Sequence, residues 1–90
     1  MVYPYITLGE RLKISHSELL KNKTIRVFVE EEDDSLGIKE AEYIIPGLKL
    51  KNRVGFSDDE LMSITQIVKY NSSLIYTVAR QGGIANANVI

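Results

Sequence analysis

His16 is the only histidine in this 90-residue chain, and its ring is the one side-chain type that ordinarily titrates near neutral pH. Ser15, Ser17 and Glu18 flank it, a composition that brings nucleophilic hydrolysis to mind. Groups that cooperate in such a reaction must meet in space, whereas neighbours along a strand point to opposite faces. A lone His also lacks the spacing of a zinc-ligand set. We therefore read His16 as a surface or strand-edge residue. Glu30, Glu31, Glu32, Asp33 and Asp34 form the densest charge run. Carboxylates suit calcium or magnesium, but the alternating ligand spacing and central Gly of an EF-hand loop are missing. Consecutive like charges read as a solvated, mobile loop, suited to steering a basic partner. Arg11, Lys13 and Arg26 fall on the polar faces of predicted strands, and Phe28 shares a face with Arg26. Basic and aromatic residues on an open sheet face are one way small domains hold single-stranded nucleic acid. These four residues are the candidate contacts, for nucleic acid or for a protein partner. No catalytic, cofactor-binding or metal-binding residue is expected.

Those side chains have to be positioned by a strand-rich first half. Residues 5–8 read as a strand entered through Pro4, where a missing N–H is tolerated. Gly9-Glu10 suits a two-residue type II′ hairpin loop. Residues 11–15 alternate, with Leu12 and Ile14 on one side and Arg11, Lys13 and Ser15 on the other. Asn22-Lys23 reads as a turn, and residues 24–30 place Ile25, Val27 and Val29 inward in a β-branched run. Residues 31–37 read as a polar loop. Residues 38–45 form a further strand with Ala41, Tyr43 and Ile45 on one face. Pro46-Gly47 interrupts it, and a short strand around Leu48–Lys51 follows.

The second half is helical. Ser57 with Glu60 three residues on is a capping box, and Phe56 with Leu61 fits a hydrophobic staple. Leu61, Ile64, Ile67 and Val68 recur at helical spacing over 58–70. Asn71-Ser72-Ser73 is a polar interruption and a plausible new cap, so residues 73–81 form a second helix, or one helix bends near Asn71. Arg80 followed by Gly82-Gly83 is a helix stop, and no Lys-Ser or Lys-Thr follows to make it a phosphate loop. Residues 1–83 are then one domain, with 84–90 a flexible tail.

The stretch Gly55-Phe56-Ser57-Asp58-Asp59-Glu60-Leu61 resembles the Gly-Phe-Ser-x-x-Glu-Leu helix entry of a family of small bacterial proteins of unknown function. The similarity extends to about Arg80. That family tends to carry paired histidines in its central strands, where this chain has only His16. The resemblance implies a compact sheet-plus-helix domain from bacteria or their mobile elements, sometimes found in toxin–antitoxin-like gene pairs. It carries over no catalytic residue.

Ninety residues bury one modest core. With no Cys in the chain, neither a disulfide nor a Cys-based metal site supports it. A formal net charge of −1 gives no global attraction to nucleic acid or anionic membrane. No apolar run approaches the length of a membrane span, and the first residues lack the pattern of a signal peptide, so a cytoplasmic location is expected. The expected fold is α+β: a three- to five-stranded, mainly antiparallel sheet from residues 3–54, covered on one face by one or two C-terminal helices. The expected core is Ile6, Leu8, Leu12, Ile14, Ile25, Val27, Val29, Tyr43, Ile45, Leu61, Ile64, Val68, Ile75 and Val78. The expected function is that of a non-enzymatic binding or regulatory protein acting through a protein partner or self-association as a homodimer. A nucleic-acid-binding domain is the alternative.

Overall fold

Alternating apolar and polar side chains produce five strands before the capping box starts a helix. The computed structural model describes residues 2–35 and 37–81. Its strands are β1 (Val2–Leu8), β2 (Leu12–Ser17), β3 (Ile25–Asp33), β4 (Gly37–Ile45) and β5 (Lys49–Val54), followed by α1 (Asp58–Arg80). The strands lie in chain order in one sheet, each antiparallel to the next. The helix packs on one face, giving the expected α+β arrangement. Ile14, Ile25, Val27, Val29, Ala41, Tyr43 and Ile45 of the sheet meet Ile64, Val68, Ile75 and Ala79 of the helix, with Phe56 closing one end. The expected tail at 84–90 and the Gly82-Gly83 stop lie outside the described residues.

Several expectations need correction. The first hairpin loop has three residues, because Leu8 pairs with Leu12. Gly9 takes the left-handed conformation there (φ 64°), and Arg11 sits in the loop instead of on β2. The acidic run is mostly strand: β3 continues to Asp33, which pairs with Gly37. Alternation sends Glu31 and Asp33 to the helix side, where Lys39 meets both. That cation offsets the repulsion which had suggested a solvated loop. The two predicted helices are one. Asn71 and Ser72 donate to the carbonyls of Ile67 and Val68, four residues back, so these polar side chains bond within the helix and do not cap a new one.

The core differs at its margins. Pro4 pairs with Ser15 and Ile6 with Ile14, so Tyr5 is an extra residue in a β-bulge. Past the bulge, Ile6 is left 41% exposed. Leu8, Leu12 and Leu61 are only partly buried against the core, and Leu74 points outward. Phe56, Ala41 and Ala79 are buried instead. Three polar ties fix the helix over the sheet. The Tyr5 hydroxyl donates to Asn71 Oδ1 (2.8 Å), the Tyr43 and Thr65 hydroxyls share a 2.7 Å bond, and the Tyr76 hydroxyl donates to the Lys23 carbonyl (3.0 Å).

His16 is fully buried, not at the surface. Its ring stacks on Tyr3 with centroids 5.6 Å apart. Nδ1 lies 2.8 Å from the Ser17 carbonyl oxygen. A carbonyl only accepts, so Nδ1 carries the proton. Nε2 is buried without a hydrogen-bond partner, so the ring serves the core as volume more than as a polar group. We expect His16→Ala to cost about 2–5 kcal/mol through the cavity, and His16→Phe to recover part of it, since the ring volume returns while the Nδ1 bond to the Ser17 carbonyl is lost. Urea denaturation of both variants checks this, and equal losses would show that the ring is held for its polarity.

Candidate binding surface

Lys39 organises the helix side of the sheet near the start of α1. It lies at the inward register shared by Ala41, Tyr43 and Ile45, and it is buried. Its Nζ is 2.6 Å from Glu60, 3.3 Å from Glu31 and 3.6 Å from Asp33. The ammonium also stands 5.5 Å from the Phe56 ring centroid, a cation–π distance. Glu60 does two jobs. One oxygen accepts from Lys39, and the other accepts from the Ser57 backbone N–H (2.9 Å) to complete the capping box. The Lys39 hydrogen bond, then the Ser57 N–H, hold the Glu60 carboxyl below the ordinary carboxylate range. The hydrogen bond to Glu60, the largest influence, raises Lys39 above the ordinary lysine value, against the opposing effect of desolvation.

Gly55 completes this latch. It has φ 84°, and a Cβ placed there would stand 2.8 Å from Lys39 Cγ. Gly55, Phe56, Ser57 and Glu60 therefore all serve the seating of Lys39 and the helix start. Gly55→Ala is expected to cost about 1–3 kcal/mol, from the left-handed backbone and the contact together. A thermal melt within a degree of wild type would refute that packing.

Among the described residues, no helix lies on the opposite face of the sheet. Strand registers arrange its side chains in cross-strand rows. Arg26, Ile44 and Lys49 form one row. Pro4, Ser15, Phe28, Glu42 and Asn52 form the next, with Phe28 at its centre. Thr7, Lys13, Glu30, Glu40 and Val54 form the third, and Glu32 with Ile38 the last. Three of the four sequence-predicted contact residues, Lys13, Arg26 and Phe28, thus share this open face. Arg11 does not join them: from its loop it pairs with Asp34 (3.1 Å) and reaches the Glu32 carbonyl (3.4 Å).

Electrostatics on the open face are mixed. Glu42 grips Arg26 through Nε and Nη2, at 2.8 and 3.0 Å, and this hydrogen bond raises the guanidinium further. The same guanidinium lies 5.2 Å from the Phe28 ring centroid. Lys13 stands opposite Glu30 in the ladder. Each predicted basic contact therefore has a carboxylate beside it, which weakens a phosphate-binding reading. No three His, Cys, Asp or Glu side chains are grouped to hold a metal among the described residues.

Both outer strands carry features that hinder pairing with another strand. β1 has Pro4 and the bulge at Tyr5. β5 has Lys49 and Lys51 and its own register shift. Prolines, lysines and bulges are the devices that blunt sheet edges. The helix exposes Met62, Tyr70 and Leu74 on its outer side.

The sequence missed Lys39 as an organising residue. Its signal was present, since it precedes Ala41, Tyr43 and Ile45 by two, four and six positions, but an inward lysine is rare without partners. No protein-family model, curated protein or solved structure matches this chain. No helix among the described residues is long and apolar enough to cross a membrane.

Proposed function

We propose that this chain is a small, cytoplasmic, non-enzymatic binding protein that acts through protein contacts on the open face of its sheet. The observation that carries this reading is the five-stranded face left open by the described residues, with Phe28 in its middle and the Arg26 guanidinium 5.2 Å from that ring. An aromatic ring and an arginine, ringed by polar groups, form the composition of a protein-contact centre. The resemblance of residues 55–80 to small bacterial proteins sometimes found in toxin–antitoxin-like gene pairs fits a role exerted on a protein partner. Edge-strand addition is the weaker route, because both edges are blunted.

A photo-crosslinking residue at Ser15, on the open face, and another at Tyr70, on the helix exterior, test the reading in cells of the source. Adducts are expected from position 15 and should vanish with Phe28→Asp. Adducts from position 70 alone would overturn the assignment of the face.

A further inference from the structure

The open face carries opposite charges at its two ends. One end holds Arg26 and Lys49; the other holds Glu30, Glu32 and Glu40 against the single Lys13. We infer that a second copy of this chain docks on this face, related by a two-fold axis that runs across the strands near the Phe28 row. This inference rests on the reading of the open face as a contact surface and names its occupant.

Such an axis keeps each strand over its counterpart and reverses the order of the rows. The Arg26–Ile44–Lys49 row of one copy then covers the Lys13–Glu30–Glu40 row of the other. Phe28 lies near the axis and meets its own copy. A two-fold interface has to be self-complementary in this way, and this distribution of charge satisfies the requirement.

Two details favour a partner carrying a cation toward Glu30 and Glu40. These carboxylates stand directly opposite each other in the β3–β4 ladder. Like charges at such a pair are unfavourable in the isolated chain. Glu42 occupies only Nε and Nη2 of Arg26, which leaves Nη1 for a carboxylate of the other copy. The blunted edges direct association to the face, away from continuous sheet extension. Under this axis three rows overlap, a footprint of about 15 by 20 Å from ordinary strand spacings, which is the scale of a weak, reversible contact.

Sedimentation equilibrium on the full chain, up to about 1 mM, tests the proposal. A monomer–dimer equilibrium is expected, weakened by added salt. Arg26→Glu and Glu30→Arg should each raise the dissociation constant at least tenfold, and the double variant should return to within about threefold of wild type. Circular dichroism checks that each variant folds. If Arg26→Glu does not, Lys49→Glu paired with Glu40→Lys tests the same two rows through a diagonal pair on β5 and β4. A monomer throughout, or a dimer indifferent to both swaps, overturns the inference. If the monomer still crosslinks another protein from position 15, only self-association fails. If adducts come from position 70 alone, the open-face reading fails with it.

Discussion

Lys39→Met is expected to invert the response of stability to acid. In the wild-type chain Glu60 is held below its ordinary value of 4.5, first by the Lys39 hydrogen bond and then by the Ser57 N–H. A carboxyl depressed by folding contributes stability above its unfolded pKa and loses that contribution as pH falls through its folded pKa. Lys39 is raised above 10.5, chiefly by Glu60. Its contribution is complete below that value and is lost as pH rises through the raised folded pKa. The latch is therefore at full strength from about pH 5 to pH 10, and weakens on both sides. Removing the ammonium leaves Glu31, Asp33 and Glu60 facing one another around an apolar Met. Glu60 then loses the hydrogen bond that lowers it most and faces two further carboxylates, so acid now favours the fold. Thermal midpoints measured from pH 7 to pH 4 should fall for wild type and rise for Lys39→Met. Parallel curves would show that the ion cluster does not couple β4 to the helix.

Tyr43→Ala is expected to be the most damaging single truncation. Tyr43 is 1% exposed at the centre of the inner sheet face, and its hydroxyl bonds Thr65 across the interface with the helix. Loss of a buried aromatic ring costs about 3–5 kcal/mol. A chain of this size has total stability near the low end of about 5–15 kcal/mol, so the variant should be largely unfolded at moderate temperature. Tyr43→Phe keeps the ring and loses one hydrogen bond, for about 0.5–1.5 kcal/mol. Urea titrations of the pair separate packing from the polar tie. Equal destabilisation would mean that the hydroxyl, and not the ring, holds the helix in place.

Local patterns carried much of the fold because they report local physics. The period-two runs at 11–15, 24–30 and 38–45 identified which side of each strand faces inward, since one face must be apolar to be buried. The capping box at Ser57 and Glu60 marked the helix start, because its two hydrogen bonds close within a single turn. Local patterns misled where distant residues supplied the compensation. Glu31 and Asp33 read as loop until Lys39 was placed between them. Asn71 read as a break until its side chain was found bonding back to Ile67 and out to Tyr5. His16 read as exposed, yet the Tyr3 ring and the Ser17 carbonyl make room for it inside.

The candidate site followed the same division. Arg26, Phe28 and Lys13 were assigned to one face by alternation alone, and the ladder keeps them there. Arg11 was misassigned because one extra loop residue removed it from the strand. The amino-acid sequence by itself determined the strand faces, the helix entry and the single small core, since each depends on contacts within a few residues. Tertiary structure decided the burial of Lys39 and His16, the continuity of the helix and the charge order along the open face. The burials and the charge order arise from pairings between residues distant in the chain, whose energies no local window contains; the helix runs on because Asn71 and Ser72 bond four residues back and Asn71 also meets Tyr5.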